Sequence, residues 1–128
     1  MPVSASFLEF AKDHFAGLGH VEARRMFGGV GLWSQGVMFA LIDDETVFLK
    51  TDEALREAMR AEGAQAWIYS NAKRPWPQET SYWSLPEAAQ DDPDEAVTWA
   101  RRSVAAALAL QAAKPPKKPR KRPPGKSG

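Results

Sequence analysis

The residues best suited to chemistry in this sequence are cations that lie near aromatic residues and glycines. Seven side chains are candidates for contacting an anion or a protein partner: Arg24, Arg25, Lys50, Lys73, Arg74, Trp76 and Tyr82. Arginine, tryptophan and tyrosine are the most frequent anchors of protein interfaces. An alternative is a small-molecule pocket or active site near Arg24, Lys50 and Tyr82. A second alternative is that the cations pair with acids in solvent while the rings fill the core.

The sequence contains no residue arrangement typical of catalysis or metal binding. It has no cysteine, and neither His14 nor His20 has a partner at metal-ligand spacing. No GxSxG motif occurs. The glycines of residues 28–31 lack the spacing of phosphate-binding loops, and we expect them to form a corner between strands. We therefore predict a non-enzymatic protein without a metal or cofactor.

The last fifteen residues differ in composition from the rest of the chain. They contain seven cations, five prolines and no acid, so the first 113 residues carry ten basic and sixteen acidic residues. This composition predicts a disordered tail over residues 114–128 that contacts nucleic-acid phosphates without sequence preference. Its cations are Lys114, Lys117, Lys118, Arg120, Lys121, Arg122 and Lys126. A solubility tail, or a tail that associates with the acidic body, is the alternative.

The candidate residues in the body must be positioned by elements that the apolar pattern predicts. A first helix is expected from Ser6, which has capping-box spacing to Glu9 and precedes an apolar stripe. Four strands are expected over residues 21–27, 29–33, 37–42 and 46–50. Their short polar loops predict an antiparallel meander. Because side chains alternate along a strand, Arg24 and Arg25 should point to opposite faces.

The second half of the body continues with helices and a strand pair. Asp52 is expected to cap a helix through about Glu62, with Gly63 at its left-handed end. Two strands over residues 66–70 and 79–85 should follow, with Tyr82 and Trp83 on opposite faces. A last helix should begin at the acidic segment around Pro93 and end before the tail. Residues 1–113 are thus predicted to form one two-layer α+β domain, in which helices cover one face of an antiparallel sheet.

Three segments taken together resemble the N-terminal domain of the TfoX/Sxy family. They are RRMFGGVGL at 24–32, GVMFALI at 36–42 with VFLKTD at 47–52, and Tyr69 followed by YWSLPE at 82–87. The resemblance implies the order α-β(3)-α-β(2)-α, to which the apolar pattern adds room for one extra strand. It also implies a role in bacterial natural competence, no established enzymatic activity, and the transcription machinery, including the cyclic-AMP receptor protein, as partner. Two-domain members continue into a helical C-terminal domain, where this sequence has its basic tail.

These features predict a regulatory or adaptor protein with a single folded domain. The body would contact a protein partner, and the tail would hold nucleic acid nonspecifically. The lack of a signal sequence, of a long apolar run and of cysteine favours the cytoplasm and no membrane contact. A homodimer through a sheet edge or the alanine-rich last helix is an alternative assembly.

Overall fold

The computed structural model describes residues 3–26, 28–70, 72–73 and 75–113. The helices are α1 (Ala5–His14), α2 (Glu53–Ala61), α3 (Glu87–Gln90) and α4 (Pro93–Ala113), with a 3₁₀ turn at Ala16–Leu18. The strands are β1 (Glu22–Met26), β2 (Gly29–Ser34), β3 (Val37–Asp43), β4 (Thr46–Lys50), β5 (Ala66–Tyr69) and β6 (Gln78–Ser84). Arg74 and the predicted tail, residues 114–128, lie outside the described residues.

The six strands form one antiparallel sheet in the order β1-β2-β3-β4-β6-β5. Both hairpin turns flanking β3 contain two residues with positive φ: Gln35 and Gly36 in one, Asp44 and Glu45 in the other. Positive φ at both central residues is the geometry whose twist matches that of the flanking strands. The predicted meander is therefore confirmed, and the extra strand allowed for in the first half is present.

One face of the sheet carries the hydrophobic core. Val30, Leu32, Ile42 and Leu49 alternate along β2, β3 and β4 and are fully buried. Several helices pack on this face: the Phe15 ring after α1 meets the Phe39 ring edge-on at 5.6 Å, Met59 of α2 belongs to the same core cluster, and α4 contributes small buried residues. The two-layer α+β architecture is thus confirmed. None of the described helices has the length and apolar character needed to cross a bilayer.

A bulge in β3 is tied to the longest helix. The partners of Leu32 and Trp33 are Ala40 and Met38, so Phe39 is an extra residue in the ladder. The buried Ser103 hydroxyl of α4 lies 2.8 Å from the Phe39 carbonyl oxygen and 2.7 Å from that of Lys50, and it donates to them. This contact fixes α4 against both β3 and the end of β4.

The helix boundaries agree with the sequence in part. Asp52 caps α2 by accepting a hydrogen bond from the Leu55 amide at 2.9 Å, as predicted. The expected cap at Ser6 is wrong, because α1 begins earlier and Ser4 accepts the capping hydrogen bond from the Phe7 amide at 3.1 Å. Ser4 also donates to Glu45 in the β3–β4 turn at 3.0 Å, which links the helix start to the sheet. The four-residue helix α3 was not predicted.

Candidate functional site

We call the sheet face opposite the helices the open face. It carries a set of aromatic and cationic side chains. Cross-strand partners share a face, so the strand register identifies its members. They include Glu22, Arg24, Gly31, Trp33, Met38, Leu41, Asp43, Phe48, Lys50, Trp67, Tyr69 and Tyr82. Within the described part of the chain, α1, α2 and α4 direct their core residues to the other face.

At the β1–β2 end of the open face, Trp33 and Arg24 form a stack above a glycine. A Cβ added at Gly31 would lie 2.7 Å from the Trp33 ring and 2.9 Å from the Met26 sulfur, so these side chains cover the bare backbone. The Arg24 guanidinium lies 4.9 Å from the Trp33 ring centroid, within cation–π range. Its exposed contact with Glu22, at 3.4 Å, adds little stability.

The opposite end of the open face carries a run of three aromatic rings. Phe48 lies 6.4 Å from Trp67, and Trp67 lies 5.1 Å from Tyr69, measured between ring centroids. The Trp67 indole N–H donates to an Asp43 carboxylate oxygen at 2.9 Å. That hydrogen bond fixes the indole orientation, so the ring run is held in place by the sheet.

Lys50 and Tyr82 are direct cross-strand partners on β4 and β6. The Lys50 ammonium donates to the Ser81 hydroxyl at 2.7 Å and lies 5.3 Å from the Tyr82 ring centroid. Burial raises the pKa of the Tyr82 phenol above its usual value of 10.0, because desolvation disfavours the phenolate. Tyr82 is therefore a neutral ring with a hydroxyl group at ordinary pH, beside a cation.

The three residues of the predicted pocket share the open face, but none of the cavities lined by described residues contains more than one of them. Arg24 borders a shallow depression of about 240 Å³ with Trp33 and His20. Lys50 borders a separate depression of about 270 Å³ with Met38 and the end of α4. Tyr82 lines neither depression. Strands β2 and β3 separate Arg24 from Lys50, a lateral distance of roughly 14 Å at about 4.8 Å per strand. This geometry gives no support to a small-molecule site built from the three.

The remaining sequence candidates occupy other positions. Arg25 points away from Arg24, as predicted, and its guanidinium donates weakly to the Val3 carbonyl oxygen at 3.4 Å. Lys73 and Trp76 lie in the loop between β5 and β6, and Trp76 is 59% exposed. Arg74 belongs to the same loop but lies outside the described residues. Trp33 and Phe48 were not among the sequence candidates, although the register that pairs Trp33 near Arg24 follows from the hairpin turns.

Charge is unevenly distributed between the two faces of the sheet. Of the sixteen acidic residues, only Glu22 and Asp43 occupy open-face strand positions. Glu79 pairs with the exposed Ile68, which points opposite to Trp67 and Tyr69. The other acids lie in the helices, their caps and the β3–β4 turn. With Glu22 and Asp43 against Arg24 and Lys50, the open face is formally neutral, whereas the body as a whole is acidic.

A second concave region lies on the helix side, beside the buried His14. It is a cleft of about 300 Å³ bordered by Phe7, Phe10, Glu45 and Asp91. His14 Nε2 must carry a proton, because it donates to the Ala89 carbonyl oxygen at 2.6 Å. The imidazole also stacks on Phe10, with the ring centroids 4.9 Å apart. These contacts give His14 a structural role that links α1 to α3.

Comparison with known proteins agrees with the motifs and with the architecture. The family profile described as the TfoX N-terminal domain matches residues 13–107. This range begins near the end of α1 and continues into α4, so it contains all six strands. A search of the curated proteins found no match to the chain. The extent of the family match shows that the chain belongs to the TfoX N-terminal domain family.

Proposed function

We propose that this protein is a non-enzymatic regulatory or adaptor module that recognises a macromolecular partner on its open face. The observation that carries the proposal is the open face itself, a sheet surface that the described helices leave uncovered and on which Trp33, Tyr69 and Tyr82 accompany Arg24 and Lys50. Residues of these types anchor interfaces because they combine a large ring or stem with a polar group. Regulation of natural competence, with a protein of the transcription machinery as partner, is the role that the family resemblance favours.

Several features favour a binding role over catalysis. The TfoX N-terminal domain is not a known enzyme family. Among the described residues no group of three metal-ligating side chains occurs. The most buried ionisable side chain, His14, is occupied by its contact with Ala89. The open face offers rings and cations, which suit recognition better than proton transfer.

The basic tail is proposed to bind the phosphates of nucleic acid. Seven cations within fifteen residues, with no acid among them, have polyanions as natural partners. The tail follows α4, whose Leu110 and Gln111 border the same depression as Met38 and Lys50 of the open face. The last turns of α4 therefore lie beside Met38 and Lys50.

A paired retention experiment tests this division of labour. The full chain and a chain ending at Ala113 would each be passed over immobilised duplex DNA. Each chain would also be immobilised and used to capture a partner protein from cell extract. We expect truncation to abolish salt-sensitive retention on DNA and to leave partner capture unchanged. Tyr82→Ala should lower partner capture, while Phe10→Ala, which removes an exposed ring on α1, should not. Undiminished DNA retention by the shorter chain would refute the role of the tail, and equal capture by both ring variants would refute that of the open face.

A further inference from the structure

We propose that the open face binds single-stranded nucleic acid by stacking unpaired bases on its aromatic rings. The inference rests on the proposed role of the open face as a contact surface, and it names the class of partner. Two observations carry it: the distribution of the rings across the strands, and the location of fourteen of the sixteen acidic residues off this face.

The rings form a platform that crosses most of the sheet. Trp33 lies on β2, Phe48 on β4, Tyr82 on β6 and Tyr69 on β5. With about 4.8 Å between neighbouring strands, they span roughly 19 Å. Each ring is half-buried, so one part packs against the sheet and the rest faces outward. An open antiparallel sheet with such rings is a known way to stack a few bases of a single strand.

The open face is formally neutral, with two cations and two carboxylates, whereas the first 113 residues as a whole carry ten basic and sixteen acidic residues. Arg24 and Lys50 each lie over a ring, so a base that stacks on that ring would displace the cation toward the phosphates beside the base. Asp43 already accepts the Trp67 N–H, and Glu22 contacts Arg24, so both open-face carboxylates have partners. The tail supplies seven further cations in the same chain. The net acidity of the body is thus no obstacle to nucleic acid on this face.

The same distribution disfavours two other occupants. A tail folded back on the body would find its acidic partners on the helix side and at the β3–β4 turn. Duplex DNA presents only paired bases, which are stacked within the helix and cannot lie on the rings. A single strand offers unpaired bases that can stack on the rings and phosphates that can contact the cations.

The test uses a full-length chain in which all seven tail cations are replaced by glutamine, so that tail binding is removed while chain length is kept. Its affinity for a labelled oligo(dT) of about 20 nucleotides would be measured by anisotropy and compared with a duplex. We expect binding to oligo(dT) with quenched tryptophan fluorescence, and no matching affinity for the duplex. Trp33→Ala or Tyr82→Ala should each weaken oligo(dT) binding by about 5- to 150-fold.

Conservative and distant variants separate stacking from stability. Trp33→Phe and Tyr82→Phe keep a ring, so they should bind within a few-fold of the parent chain even if the alanine variants fold poorly. Ile68→Ala is the matched control, because Ile68 is 53% exposed on the other face of the same sheet. It should leave oligo(dT) binding unchanged.

Several outcomes would overturn the inference. The tail-neutral chain could fail to bind oligo(dT), or its alanine variants could bind it as well as the parent. The same variants could instead lose partner-protein capture while oligo(dT) binding is unaltered, and then the proposed function stands while the nucleic-acid assignment fails. A doubled mass in light scattering that the ring variants abolish, without oligo(dT) binding, would assign the face to a homodimer. If the ring variants alter neither protein capture nor oligo(dT) binding, both proposals fail.

Discussion

Tyr82 and Trp83 are neighbours in β6 that have opposite environments. Trp83 is 5% exposed in the core beneath α2, whereas Tyr82 is half-buried on the open face. Alternation along the strand predicted that one ring would be buried and the other partly exposed. The sequence did not indicate which, because that depends on the side of the sheet that the helices cover.

The shifted pKa of Tyr82 predicts a loss of stability at high pH. In the folded chain burial raises this pKa above 10.0, so the unfolded chain releases the proton first as the pH rises. The contribution of Tyr82 is fully present below pH 10 and is lost as the pH rises through the folded pKa. Urea unfolding from pH 8 to above pH 10 should show a steeper loss in the parent than in Tyr82→Phe. If the free energy of unfolding fell equally steeply with pH in the two chains, the burial of this phenol would be contradicted.

Two glycines of β2 predict different effects of an added methyl group. A Cβ at Gly29 would collide with the backbone oxygen of Ile42, whereas one at Gly31 meets the Trp33 ring and Met26 sulfur. Backbone in a paired strand yields less than side chains do, so Gly29→Ala should lower the free energy of unfolding by about 1–3 kcal/mol. Gly31→Ala should cost less but alter tryptophan emission by displacing Trp33. A smaller loss for Gly29→Ala, measured by urea unfolding, would argue against the close strand approach.

At the scale of elements, local patterns identified the strands and long helices, and tertiary contacts decided the rest. The hairpins were predictable because short polar turns between apolar runs are local signals. Helix α3 was missed because a four-residue segment carries too little periodicity. The cap at Ser4 was missed because its contact with Glu45, more than forty residues away, is invisible in the sequence. Identifying the open face required knowledge of the sheet register and of the side of the sheet that α4 covers.

The contact between α4 and the β3 bulge predicts a costly polar substitution. Ser103→Ala would leave the buried carbonyl oxygens of Phe39 and Lys50 without this donor. The loss should be about 1–3 kcal/mol in the free energy of unfolding. Thr98→Ala, which removes an exposed hydroxyl bonded within the same helix, is the control and should cost less. Equal losses for the two variants in thermal or urea unfolding would show that Ser103 does not anchor the bulge.

At the scale of the whole molecule, the formal net charge of +1 averages two opposed regions. The first 113 residues hold ten basic and sixteen acidic residues, and the last fifteen hold seven cations without an acid. The structure refines this division, because most of the acids lie in the helices and turns and only two lie on the open face. Composition revealed the basic tail, but only the fold could reveal that the body has a less acidic side.

That charge distribution predicts how salt acts on binding to duplex DNA. If each tail cation neutralises one phosphate, the log–log slope of affinity against salt should reach about −6 in the full chain. Replacing the seven cations by glutamine should remove most of this slope. Tyr82→Ala should leave the slope unchanged, since stacking releases no counterions. Titrations at several salt concentrations measure all three chains, and a slope that survives neutralisation would place the phosphate contacts on the folded body.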